Sequence, residues 1–233
     1  MTAVAIIVEH ETPDLLELCL ASLRRFAPEV RAIVMQGYEG AEAHALTIER
    51  ARRMQVLGDA EIVILLDTDV VIWSERWVPW FMYHLTHGYE VVGGLRHRGD
   101  VTQLYLQGTL MLHPHCLAMT RDLFDRIQSF QAVLPLYDTA WRVTQQAKEG
   151  ASLALVPWSD GRAGIYREGP NLQFAPLWAH LGRGTSFRPR GPWRERLRRL
   201  AAWAGSPRAR KILSYQEDRA AFLRKGWEIV RAR

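Results

Sequence analysis

The stretch EIVILLDTDVVIW, residues 61–73, decides the fold. Its apolar run from Ile62 to Leu66 does not alternate with polar residues, so it reads as a central strand covered on both faces. Two carboxylates, Asp67 and Asp69, follow at its carboxyl end with Thr68 between them. In open α/β sheets that edge is where ligands bind. Carboxylates this close repel one another unless a cation lies between them or one is protonated. A hard divalent ion holding a phosphate meets that requirement.

Working upstream, VAIIV (4–8) reads as a first strand, and Pro13 to Phe26 places Leu15, Leu16, Cys19, Leu20 and Leu23 at helical spacing. Pro13 suits a first-turn position and Thr12 the N-cap. A second strand, VRAIVM (30–35), ends at Gln36-Gly37, and a helix over about Ala41 to Leu57 returns to the Asp-Thr-Asp strand. This β-α-β-α-β order predicts an α/β fold with a mostly parallel central sheet flanked by helices.

Downstream, Glu75 to Leu85 reads as a helix, 90–95 as a short strand and 104–113 as another. A helix over 120–130 has Thr120 as its N-cap. A further helix from Asp138 to Glu149, closed by Gly150, precedes a strand at 152–157. Residues 159–192, rich in Gly, Pro and Arg, read as active-site or lid loops.

The chain of 233 residues has a net charge of +5 that hides a division. Residues 183–233 carry 15 Lys and Arg against 4 Asp and Glu, whereas the rest carries 15 against 21. Within that tail, Trp193, Leu197, Leu200 and Trp203 recur at helical spacing among Arg194, Arg196, Arg198 and Arg199. Such a helix can lie on anionic lipid, or pack on the rest of the chain or on a second copy in a homodimer. A second helical segment spans 211–230. Two cysteines, Cys19 and Cys116, imply no disulfide framework and fit a reducing, cytoplasmic setting, with the tail as a route to the inner face of the membrane. The segment MTAVAIIVEHE reads as a strand and not as a signal peptide, and no apolar stretch is long enough to span a bilayer.

In order along the chain, these motifs resemble glycosyltransferases of the GT-A fold, family two in particular. AIIVEHETPDLLELCLASL (5–23) resembles the family's opening strand, polar loop and helix, and the Asp-Thr-Asp resembles its Asp-x-Asp (DXD) signature. CLAMTRDLFDRI (116–127) resembles the start of the acceptor-side helix, DTAWRVTQQAKEGASLALVP (138–157) the acidic helix-to-strand segment, and WAHLGRGTS (178–186) the late histidine loop. The resemblance implies a catalytic domain over 1–186, with a nucleotide-sugar half (1–95) and an acceptor half (96–186), and a basic helical extension over 187–233.

The implied activity is metal-dependent transfer of one hexose-type sugar from a nucleotide-diphosphate donor to an acceptor hydroxyl. The donor diphosphate leaves with concentrated negative charge, which Mn²⁺ or Mg²⁺ offsets. By resemblance, Asp69 is the direct metal ligand, Asp67 holds the ribose or a metal-bound water, and His180 is a third ligand. Imidazole beside carboxylate suits Mn²⁺ better than Mg²⁺. Inversion requires a base near the acceptor hydroxyl, and the resemblance assigns Asp138. Thr68, Glu9 in the loop Glu9-His10-Glu11, Gln36 and Arg183 complete the donor-side set, with Arg183 as a lid over the diphosphate. The chain departs from the family pattern at Gln36, where an acid commonly binds the base, and at Tyr137, where Glu usually precedes the catalytic Asp. UDP is the default donor nucleotide, with GDP and dTDP open, and the acceptor is a saccharide, a lipid-linked molecule or a small molecule.

Other residues carry plainer readings. His113, His115 and Cys116 match no closed zinc pattern and read as strand-end packing or acceptor contacts. His84 and His87 read as a helix C-cap, and Gly93-Gly94 as a close approach of the donor sugar or a strand end. Two alternatives compete with glycosyl transfer. One is a sugar-phosphate nucleotidyltransferase, against which stands the absence of a Gly-rich basic loop after the first strand. The other is a noncatalytic GT-A-like binding protein whose arginine tail holds membrane or nucleic acid; nucleic acid is not the expected partner.

Overall fold

The computed structural model describes residues 1–37, 43–95, 112–130, 143, 146–147, 152–155, 172–174, 177–181 and 192–232. Strands β1 (Ala3–Glu9), β2 (Arg31–Gln36) and β3 (Ile62–Asp67) alternate with helices α1 (Pro13–Phe26) and α2 (Ala43–Arg53). They are followed by β4 (Val70–Ile72), α3 (Trp77–Thr86), β5 (Tyr89–Leu95), β6 (Leu112–Thr120) and α4 (Arg121–Arg126). Next come β7 (Ser152–Leu155), β8 (Leu172–Phe174) and β9 (Trp178–Leu181), then α5 (Pro192–Trp203) and α6 (Pro207–Arg231).

The main sheet has the order β2-β1-β3-β6-β5-β7. β1 pairs in parallel with β2 and β3, and β5 with β7, whereas β6 runs antiparallel to both its neighbours. The sheet is thus mostly parallel, as the element order requires. Every residue of β1 is buried, and its side chains divide by parity. Ala3, Ala5 and Ile7 join Ile62, Ile64 and Leu66 on one face, while Val4, Ile6 and Val8 join Val63 and Leu65 on the other. An unbroken apolar run therefore marks a strand with helices on both sides.

A second sheet, β4-β9-β8, was not expected from the sequence. Two of its strands lie in the stretch 159–192 read as loops, and β4 begins directly after Asp69. These strands are three or four residues long, too short to show a period, and their partners lie far away in sequence.

Other differences are smaller. α2 ends at Arg53, where Gln55 turns into the left-handed region (φ 53°). β6 (Leu112–Thr120) shares Leu112 and His113 with the strand read at 104–113 and continues past it, while residues 104–111 lie outside the described set. Cys116 and Ala118 point to one core and Leu117 and Met119 to the other, so no polar alternation marks this strand. The helix read over 120–130 stops at Arg126, with the Thr120 side chain capping it as expected by accepting from the Leu123 N–H at 3.3 Å. Of the helix read at 138–149, Val143, Gln146 and Ala147 are described and helical.

A third apolar cluster joins α6 to the site side of the fold. Phe222 packs with Leu15 and Leu18 of α1, Val71 of β4, and Ala179 and Leu181 of β9. Arg219 pairs with Asp14 at 2.5 Å, tying α6 to the first turn of α1. Among the described residues no helix is long and apolar enough to cross a membrane.

Candidate active site

Parallel pairing brings the carboxyl ends of β1, β2 and β3 to one edge, with Glu9 opposite Gln36 and Val8 opposite Asp67. β6 runs the other way, so its early residues arrive at the same edge, and Cys116 pairs with Leu66. His115 is therefore delivered beside the Asp67 end of β3.

The second sheet places the remaining group. β4 leaves Asp69 and pairs antiparallel with β9, Val70 opposite His180, and the Leu181 N–H donates to the Asp69 carbonyl at 2.9 Å. That ladder sets His180 beside Asp69, with Nε2 at 3.4 Å from Oδ1. Asp67, Asp69 and His180 each turn a ligand atom inward, all within 4.8 Å of one another. Neighbouring ligands of a six-coordinate ion at ~2.1 Å lie ~3 Å apart and opposite ones ~4.2 Å. Two carboxylates and an imidazole at this spacing fit a divalent ion with little movement. Asp69 and His180 are buried, whereas Asp67 stands at the rim.

Electrostatics at His180 oppose one another. Burial pulls its pKa down, but the charge of Asp69, a hydrogen bond to it, and the charge of Asp67 together outweigh burial and raise the pKa above the ordinary 6.5. A dication in the same place meets the same two carboxylates.

The residues around this trio were not all foreseen. His115, buried, stacks on His180 with ring centroids 4.2 Å apart and planes within 9°, and the Trp178 indole N–H donates to His115 Nε2 at 2.9 Å. This assigns the ring proton of neutral His115 to Nδ1. Cys116 faces the opposite way into the core, where burial pushes its thiol well up, so His115 and Cys116 do not form a zinc site. His44, on the first turn of α2, reaches Asp67 Oδ1 at 3.2 Å. His10 lies against Gly37 so closely that a Cβ there would fall 2.1 Å from its ring. Burial lowers the His10 pKa, with His44 adding to the effect. Sequence offers little to find His44, a lone histidine on an otherwise ordinary helix. His115 had a signal in the His-Pro-His-Cys run, but not its direction.

Glu9 is buried, and its Oε1 accepts the Thr12 N–H at 2.6 Å, so it shapes the β1–α1 loop from within. Thr12 occupies the N-cap position of α1 without a side-chain cap bond; its hydroxyl lies 3.3 Å from that of Thr68. Gln36 is exposed at the end of β2. Gly93 lies inside β5, where a Cβ would come within 2.9 Å of Leu117 and 3.0 Å of the Cys116 carbonyl, so close strand packing accounts for it. His87 caps α3 through its N–H to the His84 carbonyl, as read. Asp138, Tyr137 and Arg183 lie outside the described residues.

The mostly parallel central sheet flanked by helices is of the GT-A glycosyltransferase fold. A mannosyltransferase from Pyrobaculum calidifontis, solved in complex with GDP-Man and Mn²⁺, is similar with a TM-score of 0.52 at 13% identity, over 97% of this chain and 85% of that one. A197 from STIV is similar at 0.48 and 13% identity, over 78% and 94% of the two chains. The galactosyltransferase LgtC, solved with donor and acceptor sugar analogs, gives 0.38 at 11% identity over 63% and 64%. No protein-family model and no curated protein matches the chain.

Proposed function

We propose that this chain transfers a hexose-type sugar from a nucleotide-diphosphate donor to an acceptor hydroxyl in a metal-dependent reaction. The observation that carries the reading is the Asp67, Asp69 and His180 trio at the ligand-binding edge of the sheet. Asp69 and His180 would hold Mn²⁺ or Mg²⁺, and the ion's chemistry is to neutralise the departing diphosphate. Asp67, at the rim of the trio and in contact with His44, would hold the donor ribose or a water of the ion. Thr68, Glu9 and Gln36 complete the donor side, and Arg183 would cover the diphosphate.

Asp138 is the proposed base. It takes the acceptor hydroxyl proton as that oxygen bonds to the anomeric carbon and the bond to the diphosphate oxygen breaks, which inverts the configuration. UDP is the default nucleotide. The mannosyltransferase of the same fold was solved with GDP-Man and Mn²⁺, which puts GDP beside it, with dTDP third. The acceptor is a saccharide, a lipid-linked molecule or a small molecule.

Thermal unfolding with UDP, GDP, dTDP or CMP, with and without Mn²⁺, tests the donor site directly. At about 100 times the dissociation constant the correct nucleotide stabilises the fold by ~2.7 kcal/mol. Asp69→Ala is expected to abolish both that shift and turnover, whereas Asp138→Asn keeps the shift and loses turnover. Normal turnover in both variants would refute the assignments. Consumption of a sugar phosphate with a nucleoside triphosphate would instead mark a nucleotidyltransferase.

A further inference from the structure

α5 carries an apolar stripe that the fold does not use. Leu197 is 49% exposed, Leu200 57% and Trp203 90%. The helix packs on α6, and among its described side chains those turned inward are Arg198 and Ala202, both half-buried. With 3.6 residues per turn, Leu200 lies about half a turn and Leu197 about a third of a turn around the helix from that inward face. Internal packing therefore accounts for one side of α5 and leaves the leucines in water. The side chains of Trp193 and Arg194 lie outside the described residues.

Charge surrounds the stripe. Between Pro192 and Lys211 the chain has seven basic residues and one acid. Arg196 and Arg199 are exposed on α5, and Arg208, Arg210 and Lys211 are exposed on the first turns of α6, just beyond the turn at Gly205 (φ 94°). A second copy docking on this face would bring two such arrays together, and like charges oppose that pairing. A nucleic-acid backbone would satisfy the arginines but leave Leu197 and Leu200 exposed. A surface that is anionic outside and apolar just beneath satisfies both sets of groups.

We propose that α5 docks on an anionic lipid surface, lying in its plane with Leu197, Leu200 and Trp203 in the acyl boundary, Arg199 and the start of α6 among the headgroups, and Arg196, which shares the apolar face, extending its aliphatic stem up to them. Because α6 shares a core with β4 and β9, docking holds the Asp69–His180 edge in a fixed relation to that surface.

The test is flotation of the full chain with vesicles of phosphatidylcholine alone or mixed with phosphatidylglycerol, at low and high salt. Wild type should float with the mixed vesicles, and less at high salt. Combined Leu197→Ser, Leu200→Ser and Trp203→Ser should weaken partitioning by about tenfold or more. Arg196→Ser with Arg199→Ser should also weaken it about tenfold while flattening the salt dependence. All five positions are exposed, so an unchanged melting temperature verifies that the variants fold. Equal binding to neutral vesicles, or flotation of the triple variant like wild type, would overturn the proposal. So would a dimer that the triple variant dissociates without any lipid binding, or a preference for RNA over anionic vesicles.

Discussion

The histidines define the site at the scale of single residues. The pKa of His180 is raised above 6.5, so its protonated form stabilises the metal-free fold fully below the unfolded value, and this contribution is lost as pH rises through the folded one. The melting temperature of the metal-free protein should accordingly fall as pH climbs through that range, and His180→Gln should lack that component. If His180 ligates Mn²⁺ as proposed, the trend reverses with the ion present, because a metal binds the neutral imidazole. His115 acts one step back from the trio. Its stack and the Trp178 hydrogen bond fix the plane of His180, so His115→Ala should lower Mn²⁺ affinity by about 10- to 100-fold, measured by calorimetry. Unchanged affinity would reduce His115 to core packing. Asp67 and Asp69 were legible in sequence because an apolar run ending in two acids has few physical resolutions. His44 and His115 were not, because what defines them is the neighbour that folding supplies.

At the scale of elements, α6 approaches α1 and β4 so closely that Gly226 has no room for a side chain. A Cβ there would fall 2.6 Å from Leu18 Cδ2 and 3.2 Å from Val71 Cγ2. Gly226→Leu should cost about 1–3 kcal/mol by forcing the helix outward, read from denaturant midpoints. No loss of stability would mean that α6 is less tightly seated than its contacts indicate. α1, legible from its leucine spacing, turned out to serve two neighbours: Cys19 and Leu23 face the main sheet, and Leu15 and Leu18 face α6. Periodicity shows that a helix has an apolar face, but not how many partners share it.

Across the whole molecule, the trio is closed by residues from a second sheet, and that sheet is backed by the C-terminal helix. Deleting residues 207–233 would uncover Leu15, Leu18, Val71, Ala179 and Leu181 together. The shortened chain is expected to lose cooperative unfolding and to weaken its hold on Mn²⁺. A sharp transition at the wild-type temperature would show that α6 is dispensable. The same arrangement separates the two halves of the basic tail, since α6 is built into a core while the stripe of α5 is turned away from it.

The sequence by itself determined the parallel α/β core and the carboxylate pair at its edge, because burial on both faces and the strand-end position are written into adjacent residues. It also marked His180 as a candidate ligand, though only through resemblance. The tertiary structure alone decided how His180 reaches Asp69, which side of β6 bears His115, and which described side chains of α5 stay exposed. Each depends on pairing between segments distant along the chain, where register and packing, not local composition, set which atoms meet.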